Sequence, residues 1–378
     1  MKRCAPSWLR RVALGASLCL AACEFGAVGD STGSGDGGKV SPAVTGGGSS
    51  NPGTGGGGSV SLGGGGGSSA GSGGGSSVGG GGGSIAGGGG GTSHAGGGAG
   101  SSDAGSGGGG DDGKSAPVKS AGCGKTTSAK TGTGLQISVG GSQRTYNLKV
   151  PDTYDSNHPY RLIVSYHWLS GTANDVTNGG WTAKPYYGLL DLAGGSTIFV
   201  APQGIGNGWS NSNGSDVEFS RQLIAQLESQ LCIDQSRIFC EGFSMGGSMS
   251  YAMACAMGDT IRAVAVHSGG PMSGCVSHTK PVPYFMTHGT KDSVCTYPGY
   301  GVPQLGDFAK LDGCTTATAD LPKPTDTSGA TPACLDFSGC SAGFPVRACL
   351  FVGDHTPSPP SSSTSWVPEQ TWKFLSQF

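Results

Sequence analysis

Hydrophobic and polar positions alternate regularly at the start of the C-terminal two thirds of the chain. Residues 136–139 and 144–150 flank Gly140-Gly141 and predict an antiparallel hairpin. Short hydrophobic runs then predict buried strands at 161–166, 197–201, 238–241, 263–267, 284–287 and 347–352. Between and after these runs, hydrophobic residues at helical spacing predict helices that follow Asp216 as far as Leu231, cover 245–257, and close the chain at 370–376. This order predicts an α/β class with a mainly parallel, twisted sheet and helices on both faces.

Glycine changes the picture for the first third of the chain. Of the 76 glycines, 43 lie between Glu24 and Ala116, where Ser, Ala, Thr and Asp supply most of the rest. Such a segment has too little hydrophobic surface to offset the entropy of ordering its backbone. We therefore expect a disordered Gly/Ser-rich linker over 23–116 and one folded domain over 117–378.

The first 22 residues resemble an export signal. Basic residues at 2, 3, 10 and 11 precede a short hydrophobic run at 12–20. Leu20-Ala21-Ala22-Cys23 resembles the lipobox of bacterial lipoproteins, which implies lipid attachment at Cys23; the alternative is ordinary signal cleavage beside an unrelated Cys. We expect an extracytoplasmic protein that is held by lipid at the outer membrane or cell surface, or is secreted.

Cysteine usage supports the same compartment. Thirteen cysteines occur, and the ten in the folded part are Cys123, Cys232, Cys240, Cys255, Cys275, Cys295, Cys314, Cys334, Cys340 and Cys349. An even number in an exported domain allows up to five disulfides, whose pairing stays open. No C-x-x-C pair and no Cys/His set with zinc spacing is present, so neither a metal nor a cofactor is expected.

Charge and hydropathy argue against nucleic-acid binding and against a membrane-spanning helix. The formal net charge is −2, and beyond the extreme N-terminus there are no basic clusters, which argues against nucleic acid. No run of 18 apolar residues is present, so no membrane-spanning helix is expected. We expect a monomer.

The strongest chemical motif is Gly242-Phe243-Ser244-Met245-Gly246, a G-x-S-x-G between a predicted strand and a predicted helix. That context is typical of a nucleophile elbow, in which a sharp turn exposes the Ser hydroxyl and the glycines admit neighbouring backbone. The following helix directs its N-terminal amides at the site where negative charge develops. Ser244 is therefore the predicted nucleophile.

A Ser nucleophile needs a His base, which in turn needs a carboxylate to orient it. In this arrangement the chain order is Ser, acid, His, and His355 follows the last predicted strand. Asp292, on the turn after strand 284–287, is the preferred acid, and Asp354 is its rival. His267 and His288 lie at strand ends before the acid, where structural hydrogen bonding is the expected role.

Two backbone amides are expected to form an oxyanion hole. One belongs to Met245, directly after the nucleophile. The other is expected from the loop after strand 161–166, and we choose Leu169 in His167-Trp168-Leu169-Ser170-Gly171.

Several motifs together resemble the fungal-type feruloyl esterases of carbohydrate esterase family 1, which are related to polyhydroxybutyrate depolymerases and acetylxylan esterases. They are His167-Trp168-Leu169, Ala201-Pro202-Gln203-Gly204, Gly208-Trp209, Asp216-Val217, the elbow, His288-Gly289 with Asp292-Ser293-Val294, and Gly353-Asp354-His355-Thr356-Pro357. The likeness extends over nearly all of 135–378 and implies an α/β-hydrolase fold with Ser244, Asp292 and His355 as its triad. Family members vary at the position of Lys291, Cys295 is not expected from the family pattern, and the lipobox and linker lie outside the resemblance.

The resemblance implies hydrolysis of feruloyl esters on a plant polysaccharide such as arabinoxylan or pectin. A planar phenolic acyl group favours an aromatic slot. The candidates for its lining are Trp168, Trp181, Tyr186, Tyr187 and Trp209, with packing as the alternative role for each. The remaining alternatives are an acetylxylan esterase, a short-chain polyester depolymerase, and a catalytically silent hydrolase-fold binding protein.

Overall fold

A nine-stranded sheet organises the part of the chain that the computed structural model describes, residues 116–180, 183–275 and 278–378. Cys23, Trp181, the predicted export signal over 1–22 and residues 24–115 of the predicted linker lie outside these residues. The strands are β1 (Gly132–Val139), β2 (Ser142–Lys149), β3 (Tyr160–Tyr166), β4 (Thr197–Pro202), β5 (Ile233–Phe243), β6 (Ala263–His267), β7 (Tyr284–Gly289), β8 (Ala333–Asp336) and β9 (Val346–Phe351). Their order across the sheet is β1-β2-β4-β3-β5-β6-β7-β9-β8.

The centre of the sheet is parallel and its edges are antiparallel. Strands β4, β3, β5, β6, β7 and β9 pair in parallel, while the β1–β2 hairpin and β8 pair antiparallel at opposite edges. The carboxyl ends of the parallel strands therefore share one edge of the sheet. The segments after β3, β5, β7 and β9, which carry the predicted chemistry, all leave from that edge.

Helices cover both faces of the sheet, as the strand–helix alternation predicts. They are α1 (Ala173–Asn178), α2 (Leu189–Ala193), α3 (Ser215–Gln230), α4 (Met245–Ala256), α5 (Val302–Leu311) and α6 (Val367–Leu375). The larger core packs α3, α4 and α5 against one face, and the smaller core packs α1, α2 and α6 against the other. Because the central strands are covered on both sides, their residues are buried almost without interruption.

Four disulfides join eight of the ten cysteines in this region. The pairs are Cys123–Cys232, Cys255–Cys275, Cys314–Cys340 and Cys334–Cys349. Cys240 and Cys295 are buried outside these four bonds. Such a set of disulfides indicates an oxidising compartment, outside the cytosol.

Two further properties concern the expectations about a membrane-spanning helix and a metal site. Within the described ranges, no helix combines the length and apolar character needed to cross a bilayer. One group in those ranges has metal-ligand spacing, formed by Cys255, Cys275 and His278. Its two sulfur atoms are bonded to each other, so they do not offer thiolate ligands.

Candidate active site

Ser244 lies in a sharp turn between β5 and α4. Its backbone has φ 56° and ψ −121°, a conformation that a residue with a side chain adopts only under strain. A Cβ on Gly242 would lie 2.4 Å from the backbone of Gly246, and one on Gly246 would lie 2.2 Å from the Tyr166 carbonyl oxygen. The two glycines of the motif are therefore required for the turn to close against β3. The G-x-S-x-G segment forms the strand–turn–helix geometry of a nucleophile elbow.

Asp292 and His355 meet although they are 63 residues apart in the sequence. The Asp292 Oδ2 atom lies 2.7 Å from His355 Nδ1, in a hydrogen bond that holds the ring. Asp292 follows β7, His355 follows β9, and these two strands are parallel neighbours in the sheet. The carboxylate is buried, while the imidazole keeps 11 % of its side-chain surface exposed. A partly exposed His backed by a buried carboxylate has the geometry of a general base and its orienting acid.

The same imidazole lies against the nucleophile elbow. The His355 and Phe243 ring centroids are 4.6 Å apart, and Phe243 directly precedes Ser244. Among the contacts of the described residues, the Ser244 hydroxyl makes no hydrogen bond to the His355 ring. In enzymes without bound substrate such bonds are often long, and they tighten when substrate binds. The contact between Ser244 and His355 therefore remains a prediction.

Backbone amides and a second histidine hold the Asp292 carboxylate. Its Oδ1 atom accepts hydrogen bonds from the amides of Val294, at 2.9 Å, and Cys295, at 2.7 Å. His288 is fully buried, and its Nε2–H donates to the Cys295 carbonyl at 2.7 Å, while the same nitrogen lies 3.5 Å from Asp292 Oδ2. Burial lowers the pKa of His288, so the ring is neutral at pH 7 and contributes its N–H dipole rather than a charge. His288 thus supports the loop whose amides orient the acid.

Asp354 joins the two turns that carry Asp292 and His355. Its Oδ1 atom accepts from the Ser293 amide, the Ser293 hydroxyl and the His355 amide, each at 2.8 Å. The rival acid in the sequence analysis therefore contacts its neighbour's backbone rather than its ring. Asp354 acts as a clamp between adjacent turns, and Asp292 holds the imidazole.

The loop after β3 and the N-terminus of α4 meet beside the elbow. A Cβ on Gly208 would lie 3.1 Å from the Leu169 side chain and 3.3 Å from the Met245 sulfur. Leu169 and Met245 therefore both lie beside the same glycine, close to the Ser244 turn. Among the hydrogen bonds of the described residues, neither the Leu169 amide nor the Met245 amide is a donor. Two amides without an acceptor beside a nucleophile are what an oxyanion hole requires.

His167 supports that loop from within the protein. Burial lowers its pKa to about 4, so the ring is neutral at pH 7. Its Nδ1 lies 2.8 Å from the Trp168 carbonyl oxygen, and its Nε2 accepts from the Gly204 amide at 3.0 Å. The histidine therefore connects the loop after β3 to the segment after β4.

The structure corrects the expected aromatic slot for three residues. Trp209, Tyr186 and Tyr187 are buried to 4 % exposure or less, which leaves no surface for a ligand. Trp209 donates its indole N–H to the His167 carbonyl, and the Tyr187 hydroxyl donates to the Tyr166 carbonyl. Trp209 lies in the larger core, and Tyr186 and Tyr187 lie in the smaller one. The hydrogen bonds of Trp209 and Tyr187 support the end of β3.

Trp168 differs from those three rings. It is partly exposed and packs under Gly171, with its ring centroid 6.4 Å from that of Phe243. It remains a candidate for substrate contact, whereas Trp181 lies outside the described residues.

Comparison with known proteins identifies the family. The model of the phospholipase/carboxylesterase family matches residues 212–298, which include the elbow and Asp292. A probable feruloyl esterase C of Aspergillus clavatus is 41% identical over 260 residues, covering 69% of this chain and 91% of the relative. Feruloyl esterase C of Emericella nidulans is 42% identical over 256 residues, covering 68% and 90%. The chain belongs to the feruloyl esterase family.

Membership of the feruloyl esterase family confirms the expected α/β-hydrolase fold and the expectation of an esterase. Among solved structures, an acetyl xylan esterase from Aspergillus awamori is similar at 14% identity and a TM-score of 0.48, covering 64% of this chain and 98% of that one. The curated relatives described above are fungal, so they do not support the interpretation of a bacterial lipoprotein.

Proposed function

We propose that the protein is a serine carboxylic ester hydrolase that releases ferulate or related hydroxycinnamates from plant cell-wall polysaccharide. The observation that carries the proposal is the 2.7 Å hydrogen bond between Asp292 and His355, which lies against the Ser244 elbow. Relatives at 41–42% identity that are named feruloyl esterases support the acyl group. No cofactor takes part in the proposed reaction.

Each residue has a defined part in the proposed reaction. The Ser244 hydroxyl oxygen attacks the ester carbonyl carbon while its proton passes to His355 Nε2. The Leu169 and Met245 amides hydrogen-bond the resulting oxyanion, and Asp292 stabilises the imidazolium that has formed. Collapse of the tetrahedral intermediate breaks the bond to the sugar oxygen, which leaves with the proton from His355. Water then attacks the feruloyl-enzyme by the same route and releases ferulic acid and free Ser244.

A comparison of initial rates tests the substrate. The purified protein would be assayed with methyl ferulate, acetylated xylan and polyhydroxybutyrate, which represent the proposed activity and its two esterase alternatives. Ferulate release should exceed turnover of the other two. No ferulate release at millimolar substrate would overturn the proposal.

Labelling by a fluorophosphonate probe tests the nucleophile. Ser244→Ala should abolish labelling and lower kcat by about 10⁵–10⁶-fold, because removing a triad Ser leaves only the binding and oxyanion terms. Ser248→Ala serves as the matched control, since Ser248 lies one turn further along α4 and donates to the Ser244 carbonyl. Labelling that persists in Ser244→Ala would show that another residue is the nucleophile, and absence of labelling in the wild type would indicate a silent binding protein.

The proposal extends to the N-terminal third of the chain. We infer an export signal over 1–22, lipid attachment at Cys23, a Gly/Ser-rich linker over 23–116 and an esterase domain over 117–378 that acts as a monomer without nucleic acid. Leu20-Ala21-Ala22-Cys23 supports the lipid and the four disulfides support export. Mass spectrometry of the mature N-terminus tests it: an acylated Cys23 is expected, and an unmodified Cys23 in the mature chain would contradict the anchor.

A further inference from the structure

A cavity of about 500 Å³ lies beside the turn that carries Asp292. Thr290 and Lys291 form part of its wall and directly precede Asp292. Val352, three residues before His355, forms another part. Its volume falls in the range of ligand pockets, about 300–1,000 Å³. We call it the lysine cavity, because Lys291 and Lys323 line it from two separate segments.

The charged residues that line the lysine cavity are all positive. Neither Asp nor Glu is among its lining residues. Both lysines are exposed, and neither has a carboxylate within ion-pair distance among the described residues. Two unpaired ammonium groups on one cavity attract an anion and reject a cation.

The rest of the wall is mostly hydrophobic, with Thr290 and Thr318 as polar members. It includes the partly buried ring of Tyr297, the buried side chain of Leu321, the ring of Pro322 and the buried side chain of Leu350 in β9. Carbon–hydrogen faces of a sugar pack well on such a surface, whereas a small inorganic anion leaves it empty. The combination of a cationic rim with hydrophobic walls therefore favours a carboxylate carried on a ring.

We propose that the lysine cavity binds a uronate residue of the polysaccharide, so that the protein acts on acidic feruloylated chains. The inference rests on the proposed function and names its substrate class. Because Thr290 and Lys291 share a turn with Asp292, a bound uronate lies next to the acid and histidine side of the site and holds the polymer there.

Binding without turnover tests the cavity separately from the chemistry. Full-length protein carrying Ser244→Ala would be titrated in a calorimeter with trigalacturonate and with its fully methyl-esterified, uncharged counterpart. Trigalacturonate should bind more tightly, and its affinity should fall as NaCl is raised. Adding Lys291→Gln and Lys323→Gln should weaken its binding about tenfold, the effect of removing two partly exposed charge contacts. Lys125→Gln, a change at an exposed lysine outside the cavity, is the matched control and should not weaken it.

The outcomes separate the cavity from the esterase activity. Equal affinity for the charged and uncharged trisaccharides, or an equal loss in the Lys125→Gln control, would overturn the cavity proposal even where wild-type protein releases ferulate from methyl ferulate. Lysine-dependent binding of free ferulate in place of trigalacturonate would also overturn it, since it would assign the cavity to the product acid. Lysine-dependent binding of trigalacturonate without any ferulate release would support the cavity and refute the proposed function.

Discussion

Two histidines contact the region of Asp292, and they differ in what they contribute. The Nδ1–H of His355 donates directly to the Asp292 carboxylate at 2.7 Å, while His288 Nε2 lies 3.5 Å from that carboxylate and donates to the Cys295 carbonyl. The His355 ring is partly exposed, whereas the His288 ring is fully buried. The difference in burial therefore separates their roles: only His355 is accessible to a substrate, while His288 can act only by positioning Asp292.

We expect His288→Ala to lower kcat about ten- to a hundredfold with little change in KM, because the loop that donates to Asp292 loses its support while the substrate surface is unaltered. His288→Gln should recover much of the rate, since its amide N–H can donate to Cys295 in place of Nε2–H. Steady-state kinetics on methyl ferulate, with melting temperatures for each variant, provide the measurement. Equal losses of rate and of folded protein in both variants would reduce His288 to a packing residue.

Glu241 is a fully buried carboxyl group on β5, three residues before Ser244. Its Oε1 atom accepts from the Ser165 hydroxyl at 2.6 Å, and its Oε2 atom has no hydrogen-bond partner among the described residues. Desolvation raises the pKa of Glu241 from 4.5 to about 8. The neutral acid is therefore the folded form at pH 7, while the unfolded chain exposes a carboxylate.

This shift predicts a pH-dependent stability. Because the folded pKa is raised, the stabilisation is fully present below about pH 4.5 and is lost as the pH rises through about 8. Glu241→Gln removes the titration, so its melting temperature relative to wild type should rise between pH 5 and pH 9, by roughly 5 °C or more. Calorimetric scans at both pH values measure the difference, and a constant offset between the two proteins would contradict the raised pKa.

At the scale of single residues, the sequence predicted the pairing of Asp292 with His355 better than it predicted what surrounds them. Ser244, Asp292 and His355 follow from motif, chain order and strand ends. The burial of Trp209, Tyr186 and Tyr187 does not follow from the sequence, because an aromatic residue in a predicted loop is equally compatible with packing in the core and with lining a ligand-binding slot. The support given by His288 and the clamp formed by Asp354 depend on contacts across neighbouring strands, which no local pattern contains.

Adjacent elements of the sheet bring the acid and the base together. Strands β7 and β9 run in parallel, and their following turns are joined by backbone bonds from Thr290 to Phe351 and from Lys291 to Gly353. Asp354 adds side-chain bonds to Ser293 across the same gap. The Asp292–His355 pair therefore depends on the register of two strands as well as on the side chain of Asp354.

We expect Asp354→Ala to lower kcat/KM about tenfold, since the two turns would be free to separate and reactions of this kind are sensitive to small misplacements. Asp354→Asn keeps an oxygen that can accept from the Ser293 and His355 amides, so it should retain most of the activity. Rates on methyl ferulate compare the two. An Asn variant as impaired as the Ala variant would point to the charge of Asp354 instead of its bonds.

Most elements were predictable from hydrophobic patterning, and the exceptions have physical causes. The predicted strand 238–241 is in fact Ile233–Phe243, because the polar run after Ile233 hides its start. There Asp234 is buried at the strand entry; its Oδ1 atom accepts from the Val118 and Ser236 amides, and its Oδ2 atom lies 3.4 Å from Arg237 Nε. Strand β8 was missed because it has four residues, partly exposed, and depends on pairing with β9.

For the whole molecule, the disulfides enclose loops of very different lengths. Cys123–Cys232 spans 109 residues, whereas Cys334–Cys349 spans 15. In the chain-entropy description a longer loop restricts the unfolded state more. Removing the disulfide that closes the long loop should therefore lower the stability more than removing the one that closes the short loop.

We expect Cys123→Ser with Cys232→Ser to lower the free energy of unfolding by about 4–5 kcal/mol, against about 3 kcal/mol for Cys334→Ser with Cys349→Ser. A reducing agent should lower the melting temperature of the wild type for the same reason. Denaturant titration of the three proteins provides the values. A larger loss from the short-loop pair, or a wild-type melt that reductant leaves unchanged, would contradict this ordering.

The covalent bond at Cys123 also determines how tension enters the fold. Lys119 forms a bridge to Asp234, and Cys123 is bonded to Cys232 just before β5. A pull on the N-terminal side is thus delivered to the middle of the sheet through a sulfur–sulfur bond, and it bypasses the β1–β2 hairpin, whose ladder of hydrogen bonds would otherwise unzip first. A protein held by its N-terminus against flow would therefore carry the load on β5, the strand that leads into the Ser244 turn, while the β1–β2 hairpin at the edge of the sheet stays unloaded.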